Sequence, residues 1–274
     1  MPCLGIPLAK ARDVWNKGCI THARMLYPML IALMADIHAN REAFEACLAD
    51  ARARRAQQWM FLGDHVNYGA DPEWVVETIM DYVSGGAIAL LGNHDAAVAE
   101  RRTTMDRPAE TAIEWTRVQL GAAQRVFLAG LPLIIEQDDT LFVHADASAP
   151  RKWNYVADQH DAARSLKATH FRMTICGHVH KPATYNISES GHLTAFRPIT
   201  GAAVPLLRQR RWLAVLGSVG QPRDGNPAAS YALLDTERNQ ITYYRVPYDI
   251  DAAAAKIREA GLPEILAERL RWGQ

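Results

Sequence analysis

The feature that most restricts this chain is an alternation near its start. Three apolar runs, MLIALMADIHAN (29–40), QWMFLGDH (58–65) and AIALLGNHD (87–95), each end in polar residues. Between them lie two segments of helical period. NREAFEACLADARARRA (40–56) places apolar or small residues at 43, 44, 47, 48 and 51, one face of a helix. DPEWVVETIMDYV (71–83) opens with Asp71 as a cap and Pro72 at the first helical position, where its missing N–H does no harm. Strand, helix, strand, helix, strand implies parallel strands joined by right-handed crossovers. An α/β fold is therefore set before the chain reaches residue 100.

The remainder adds a helix over about 108–128, two strands around an Asp-Asp turn in PLIIEQDDTLFVHAD (132–146), a helix over 156–168 and a strand ending in a loop, RMTICGHVHKP (172–182). A β-rich stretch follows, and residues 251–272 are helical in pattern. No repeat, low-complexity tract or linker divides the chain. The expected domain spans 29–274, with two β-sheets packed together and helices outside. Residues 1–28 precede the first strand as an extension; a docking arm, a disordered tail and an over-long start before Met25 or Met29 are all open.

Composition narrows the function classes. Hydrophobic residues make up 49% of 274, enough for a sizeable core, and 30 basic residues balance 30 acidic ones. A neutral chain has no broad surface for nucleic acid, so any anion must be held locally. No apolar run reaches the length of a membrane span, and the N-terminus lacks a signal-peptide layout. The four cysteines, Cys3, Cys19, Cys47 and Cys176, form no C-x-x-C pair. Cys47 and Cys176 read as small core residues, and the chain as a reduced, cytoplasmic protein.

Five apolar runs end in polar clusters: Asp36-Ile37-His38, Gly63-Asp64, Gly92-Asn93-His94-Asp95, His144, and Gly177-His178-Val179-His180. Sites in α/β sheets form at the carboxyl ends of strands. Any one cluster is a plausible turn, but half of the ten histidines fall in these five places. Carboxylates, an amide oxygen and imidazoles without thiolate suit Mn²⁺, Fe²⁺/³⁺, Zn²⁺ or Ni²⁺, with manganese or iron favoured. Seven ligands exceed what one such ion accepts, so two ions are the better count, and a carboxylate can bridge them. In this reading Asn93 offers its amide oxygen, His94 points at substrate, and Asp95 accepts a hydrogen bond from the His94 ring.

The set DIH…GD…GNHD…H…GHVH, spanning 36 to 180, resembles the signature of the calcineurin-like metallophosphoesterases. GSVGQPRDGNPAASYALLD (217–235) and GDHVNYGADP (63–72) are similar to a prokaryotic subgroup of small phosphatases and phosphodiesterases, some of which cleave diadenosine polyphosphates. The resemblance implies two packed mixed β-sheets flanked by helices. It implies that Asp36, His38 and His180 hold one metal, that Asp64 bridges, and that Asn93, His144 and His178 hold the other. A water activated between the metals would attack phosphorus, and His94 as imidazolium would protonate the leaving oxygen. Small, nucleotide-like phosphoesters or phosphoanhydrides, such as dinucleoside polyphosphates or phosphodiesters, are the expected substrates. Arg223 is a candidate anion contact, and His65 and Tyr68 are candidates to stack on a base or aryl ring. Two alternatives stand beside this. A protein Ser/Thr phosphatase is disfavoured because Asn67-Tyr68 replaces the Asp-Arg of that group. A non-catalytic scaffold would lack metal ligands or the catalytic histidine, and none is missing.

Overall fold

The computed structural model describes residues 29–100 and 105–274, so the expected N-terminal extension, with Cys3 and Cys19, lies outside the described residues. The first sheet is built on β1 (Leu30–Met34), β2 (Gln58–Phe61) and β3 (Ile88–Ala89), with α1 (Arg41–Ala53) and α2 (Pro72–Ser84) as crossovers. These three strands are parallel. β11 (Ala229–Asp235) joins β1 antiparallel, followed by β12 (Gln240–Val246) and β9 (Ala203–Pro205), which gives the order β3-β2-β1-β11-β12-β9.

The second sheet contains β4 (Ile134–Gln137), β5 (Thr140–Val143), β6 (Met173–Cys176), β7 (Ala183–Ser188), β8 (Leu193–Phe196) and β10 (Arg210–Val215). Its order is β4-β5-β6-β10-β7-β8, with β5, β6 and β10 parallel.

Strand period sorts the side chains into layers. Ile31, Leu33 and Ala35 enter the core between the sheets, where they join Met60 and Leu62 and meet Phe142, Ile175 and Trp212 of the second sheet. Ala32 and Met34 face the other way, onto Phe44, Cys47 and Leu48 of α1. Beyond the second sheet, Val143, Cys176 and Leu213 pack on Ala162 and Leu166 of α6 (Gln159–Lys167). Two sheets between two helical layers bury central strands such as β1, β5 and β6 on both faces, which is why those runs read as almost uninterrupted apolar sequence.

Four local expectations need correction. The helix expected over 108–128 is two, α4 (Arg107–Gln119) and α5 (Ala122–Ala129). Leu120 is extended, and the Gly121 N–H is taken by the Gln124 side chain at 2.7 Å, which starts α5 afresh. The C-terminal helix is also two, α7 (Ile250–Glu259) and α8 (Glu264–Trp272), broken where Gly261 takes φ +69° just before Pro263. GNHD is not a loop, because α3 (Asn93–Ala99) begins at its asparagine. Asp71 stands at the head of α2 without a capping hydrogen bond, and its carboxylate instead accepts from Lys256 of α7 at 2.8 Å.

Candidate metal centre

The five strand ends converge. Asp36 and His38 follow β1, Asp64 follows β2, Asn93 opens α3 after β3, His144 follows β5, and His178 and His180 follow β6. Asp36, His38, Asp64, His178 and His180 all have left-handed backbone, with φ of 54°, 51°, 54°, 68° and 60°. Each such non-glycine residue costs about 1–3 kcal/mol. Surrounding hydrogen bonds hold them there, among them Asp36 N–H to Gly63 O (3.1 Å), His38 N–H to Asp64 O (3.0 Å) and Gly177 N–H to His144 O (2.9 Å). Gly92 explains its place in GNHD, since a Cβ there would lie 2.2 Å from the Asp64 backbone nitrogen and carboxylate.

Ligand atoms of Asp36, His38, Asp64 and His180 lie within 4.8 Å of one another, as do those of Asp64, His144 and His178. Asp64 belongs to both clusters. The Asn93 amide oxygen is 3.2 Å from His144 Nε2, which completes the second. All seven residues expected from sequence are therefore in one place.

The histidine tautomers test whether the place fits a cation. His38 Nδ1 donates to Val66 O (3.1 Å), His144 Nδ1 to Leu62 O (2.7 Å), His180 Nδ1 to Gln221 O (2.6 Å) and His178 Nε2 to Trp153 O (2.8 Å). Each ring thus spends one proton on a backbone carbonyl and turns its other nitrogen inward. The inward nitrogens meet in pairs, His38 Nε2 with His180 Nε2 at 3.1 Å and His144 Nε2 with His178 Nδ1 at 3.2 Å. At His38 and His180, where burial keeps both rings neutral, two lone pairs face each other and a cation between them removes the repulsion, whereas at His144 a second proton beside Asp64 takes that place. The Asp64 Oδ2 atom is likewise buried without a hydrogen-bond partner. The donor set, oxygen and imidazole nitrogen, fits first-row divalent ions.

Charge follows burial. Burial lifts the Asp36 carboxyl to about 7. Burial would also raise Asp64, but the neighbouring His144 and His94 hold it well below the carboxylate range. For His144 burial acts downward, yet the Asp64 carboxylate, 3.2 Å away, outweighs it and lifts the imidazole to about 9. His178 is pushed down to about 3, chiefly by burial, and burial also lowers His38 and His180.

His94 stands outside both clusters, with Nε2 3.9 Å from Asp64 Oδ2. Its expected partner, Asp95, is elsewhere. The Asp95 carboxylate accepts the backbone N–H groups of Asp64 (2.8 Å), His65 (2.9 Å), Val66 (3.3 Å) and Gly92 (2.9 Å), so it braces the Asp64 loop. The group at His94 Nδ1 is the Asn67 amide nitrogen, at 2.6 Å. That amide cannot be turned round, because its oxygen accepts from Tyr68 N–H (2.8 Å) and its nitrogen also donates to Ala109 O (3.3 Å). His94 Nδ1 is therefore an acceptor and its proton is on Nε2. The expected imidazolium is opposed by this donor and by burial, which lowers the His94 pKa.

His65 also departs from expectation. It is fully buried, and its Nε2 donates to Leu90 O at 2.9 Å, so it offers nothing to a ligand. Tyr68 and Arg223 do reach the cavity beside the centre, which is lined as well by Asn93, His94 and His178. The Tyr68 ring packs 4.6 Å from His38 and 4.8 Å from His94, and the Arg223 guanidinium lies 5.6 Å above it. Gln221 Oε1 accepts from Arg223 Nε (3.2 Å) and Nη2 (2.8 Å), while the Gln221 carbonyl orients His180. Sequence reading missed Gln221, Asn67, Trp153 and Tyr155. The basic-aromatic stretch RKWNY (151–155), between an expected strand and helix, was the one signal available for the last two.

The fold and the site define the class, a metal-dependent phosphoesterase. The model of the calcineurin-like phosphoesterase superfamily domain matches residues 29–239, and the chain belongs to that superfamily. It is 36% identical over 252 residues to the uncharacterized protein MJ0912 of Methanocaldococcus jannaschii, covering 89% of this chain and 98% of that protein. A metallophosphoesterase from Sphaerobacter thermophilus superposes with a TM-score of 0.80 at 36% identity, over 90% of this chain and all (100%) of the other. The hypothetical protein PH1004 from Pyrococcus horikoshii OT3 shares the fold, with a TM-score of 0.74 at 18% identity over 89% of this chain and 98% of its own. Among the described residues no helix is long and apolar enough to cross a membrane.

Proposed function

We propose that this chain is a two-metal hydrolase of small phosphodiesters or phosphoanhydrides bearing a nucleotide-like substituent. The observation that carries the reading is the pair of donor clusters sharing Asp64, with His94 beside them and outside both. Asp36, His38 and His180 would hold one ion, Asn93, His144 and His178 the other, and Asp64 both. Bound manganese or iron supplies Lewis acidity toward phosphoryl oxygens and acidifies a water.

The chain's own residues do the rest. Asp95 and the glycines fix the Asp64 loop, so the Asp64 carboxylate need not reorganise during reaction. His94 presents Nε2–H to the leaving oxygen as a hydrogen-bond donor to the charge developing there, a contact commonly worth ~10²–10³-fold. Asn67 holds that tautomer. Arg223, with Nε and Nη2 bound by Gln221, has its remaining N–H groups for a non-bridging phosphoryl oxygen. Tyr68 is packed between His38 and His94, where the protein phosphatases have an arginine for a dianionic monoester. That substitution favours a substrate with less charge on the attacked phosphorus.

The test is a side-by-side assay of the manganese-loaded protein on bis(p-nitrophenyl) phosphate, p-nitrophenyl phosphate, a dinucleoside polyphosphate and a phosphopeptide. The diester or the polyphosphate should exceed the phosphopeptide in kcat/KM by at least about tenfold, roughly 1.4 kcal/mol. A phosphopeptide better by the same factor would make the protein-phosphatase reading the right one, and no turnover of any substrate would favour the scaffold.

A further inference from the structure

The cavity at the centre encloses about 750 Å³. One phosphate fills little of that, and cavities of about 300–1,000 Å³ hold whole small-molecule ligands. Two elements complete its wall beyond the metal-facing residues. The short 3-10 turn Pro150–Lys152 and the residues after it contribute Lys152, Trp153 and Tyr155, and α8 contributes Arg269.

The first of these is fastened to the centre. The Trp153 carbonyl accepts from His178 Nε2, and Trp153 itself is left-handed at φ 52°. Tyr155 lies flat on the His178 imidazole, 4.3 Å away with 9° between planes, yet 51% of it stays exposed. A half-open aromatic ring, stacked on a metal-facing histidine at a cavity wall, is a platform with one side in use.

The cations around it are unspent. Lys152 and Arg269 make no ion pair among the described residues, although the nearby Arg271 pairs with Asp251 and Arg258 with Glu264. Two acidic side chains line the same cavity, Asp106 and Glu100, beside Gln274 with its terminal carboxylate. Asp106 is occupied in capping α4, through Ala109 N–H at 3.0 Å. With Arg223, three cationic side chains face two acidic ones.

We propose that Tyr155, Lys152 and Arg269 form a leaving-group subsite. Tyr155 takes a planar ring, since every nucleobase or aryl group has a face that stacks on an aromatic side chain. Lys152 and Arg269 take a phosphate placed between that ring and the scissile phosphorus. The inference rests on the phosphoesterase reading and deepens it: the preferred leaving group is a nucleoside phosphate. Water adds its oxygen to phosphorus, the P–O bond to that group breaks, and the electron pair stays on the leaving oxygen. That oxygen receives a proton, and the water's other proton goes to solvent. His94 lines the same cavity, so the group it releases leaves along this wall.

The test uses two substrates and one ligand on the manganese-loaded full chain. Bis(p-nitrophenyl) phosphate has a ring and no further charge, whereas diadenosine tetraphosphate has both; ADP is titrated calorimetrically. Arg269→Gln and Lys152→Gln should each lower the ratio of kcat/KM for the tetraphosphate over the diester at least tenfold, through KM, and weaken ADP to match. Tyr155→Ala should raise KM for both substrates, and Tyr155→Phe should restore it. Equal scaling of both substrates in the cation variants, with ADP affinity unaltered, overturns the subsite. If the wild type hydrolyses neither substrate, the phosphoesterase reading fails and the ADP titrations alone decide the subsite. Lys152 is exposed, so its variant keeps the test informative should Arg269→Gln fold poorly.

Discussion

The two halves of the metal centre share Asp64 and little else. The half made by Asp36, His38 and His180 is sealed, with no member more than 2% exposed. It adds a second carboxylate to Asp64, and burial lowers both of its histidines. The half made by Asn93, His144 and His178 adds a neutral amide, and Asn93 and His178 line the cavity. Its histidines are driven apart, His144 up to about 9 and His178 down to about 3. An ion in the sealed half meets two negative charges and no solvent, whereas an ion in the open half meets one and faces the substrate. On the two-metal proposal, the sealed half would retain its ion and the open half would exchange ion and substrate.

The largest effect should come from removing what the halves share. Asp64→Ala should lose both ions, with kcat/KM down by roughly 10⁴-fold or more, because each ion loses an anionic ligand in a dry site. Asn93→Ala should lose only the ion of the open half. Metal content by elemental analysis after desalting reads this directly, and equal losses in the two variants would break the distinction between halves.

A smaller effect belongs to His94, which faces the cavity with the open half. His94→Asn should keep both ions and lose ~10²–10³-fold on an alkyl leaving group, where more charge develops on oxygen, with a clearly smaller loss on nitrophenolate. The same loss on both leaving groups would remove the leaving-oxygen contact from His94 and leave it a positioning part.

The smallest effect is thermal. In the metal-free protein the His144 pKa stands above its unfolded value of about 6.5. Its contribution to stability is therefore complete below that pH and lost as pH rises through about 9. His38, His178 and His180, with lowered pKa values, are neutral in both states above pH 7 and contribute no slope there. Metal binding must displace the His144 proton, so affinity rises over the same window. The gain in Tm on manganese loading should grow from pH 7 to pH 9 by a few degrees, at about 2–4 °C per kcal/mol for a chain of this size. Scanning calorimetry at the two pH values reads it, and a gain that shrinks with pH would show that the Asp64–His144 proton is absent.

What the sequence determined by itself was local in kind. Strand ends are legible because apolar runs stop abruptly, and the ligand types are legible because carboxylate, amide and imidazole follow at those stops. The βαβαβ order then brings the stops to one edge of a sheet. Helix extents were less legible: Leu120-Gly121 and Gly261-Leu262-Pro263 break patterns whose period continues on either side.

Only the tertiary structure decided the partnerships. Asp95 and His94 are neighbours in sequence, but opening α3 at Asn93 sends the Asp95 carboxylate back under the Asp64 loop and His94 toward the cavity. His65 follows a ligand directly, yet the chain's turn at Asp64 points it into the interior, onto Leu90. Tyr155 and His178 are stacked although 23 positions of chain separate them. Pattern and composition record which residues a chain can place at a site. Which atom each one faces depends on left-handed turns and close backbone approaches between distant segments, and those forces act only once the sheets have packed.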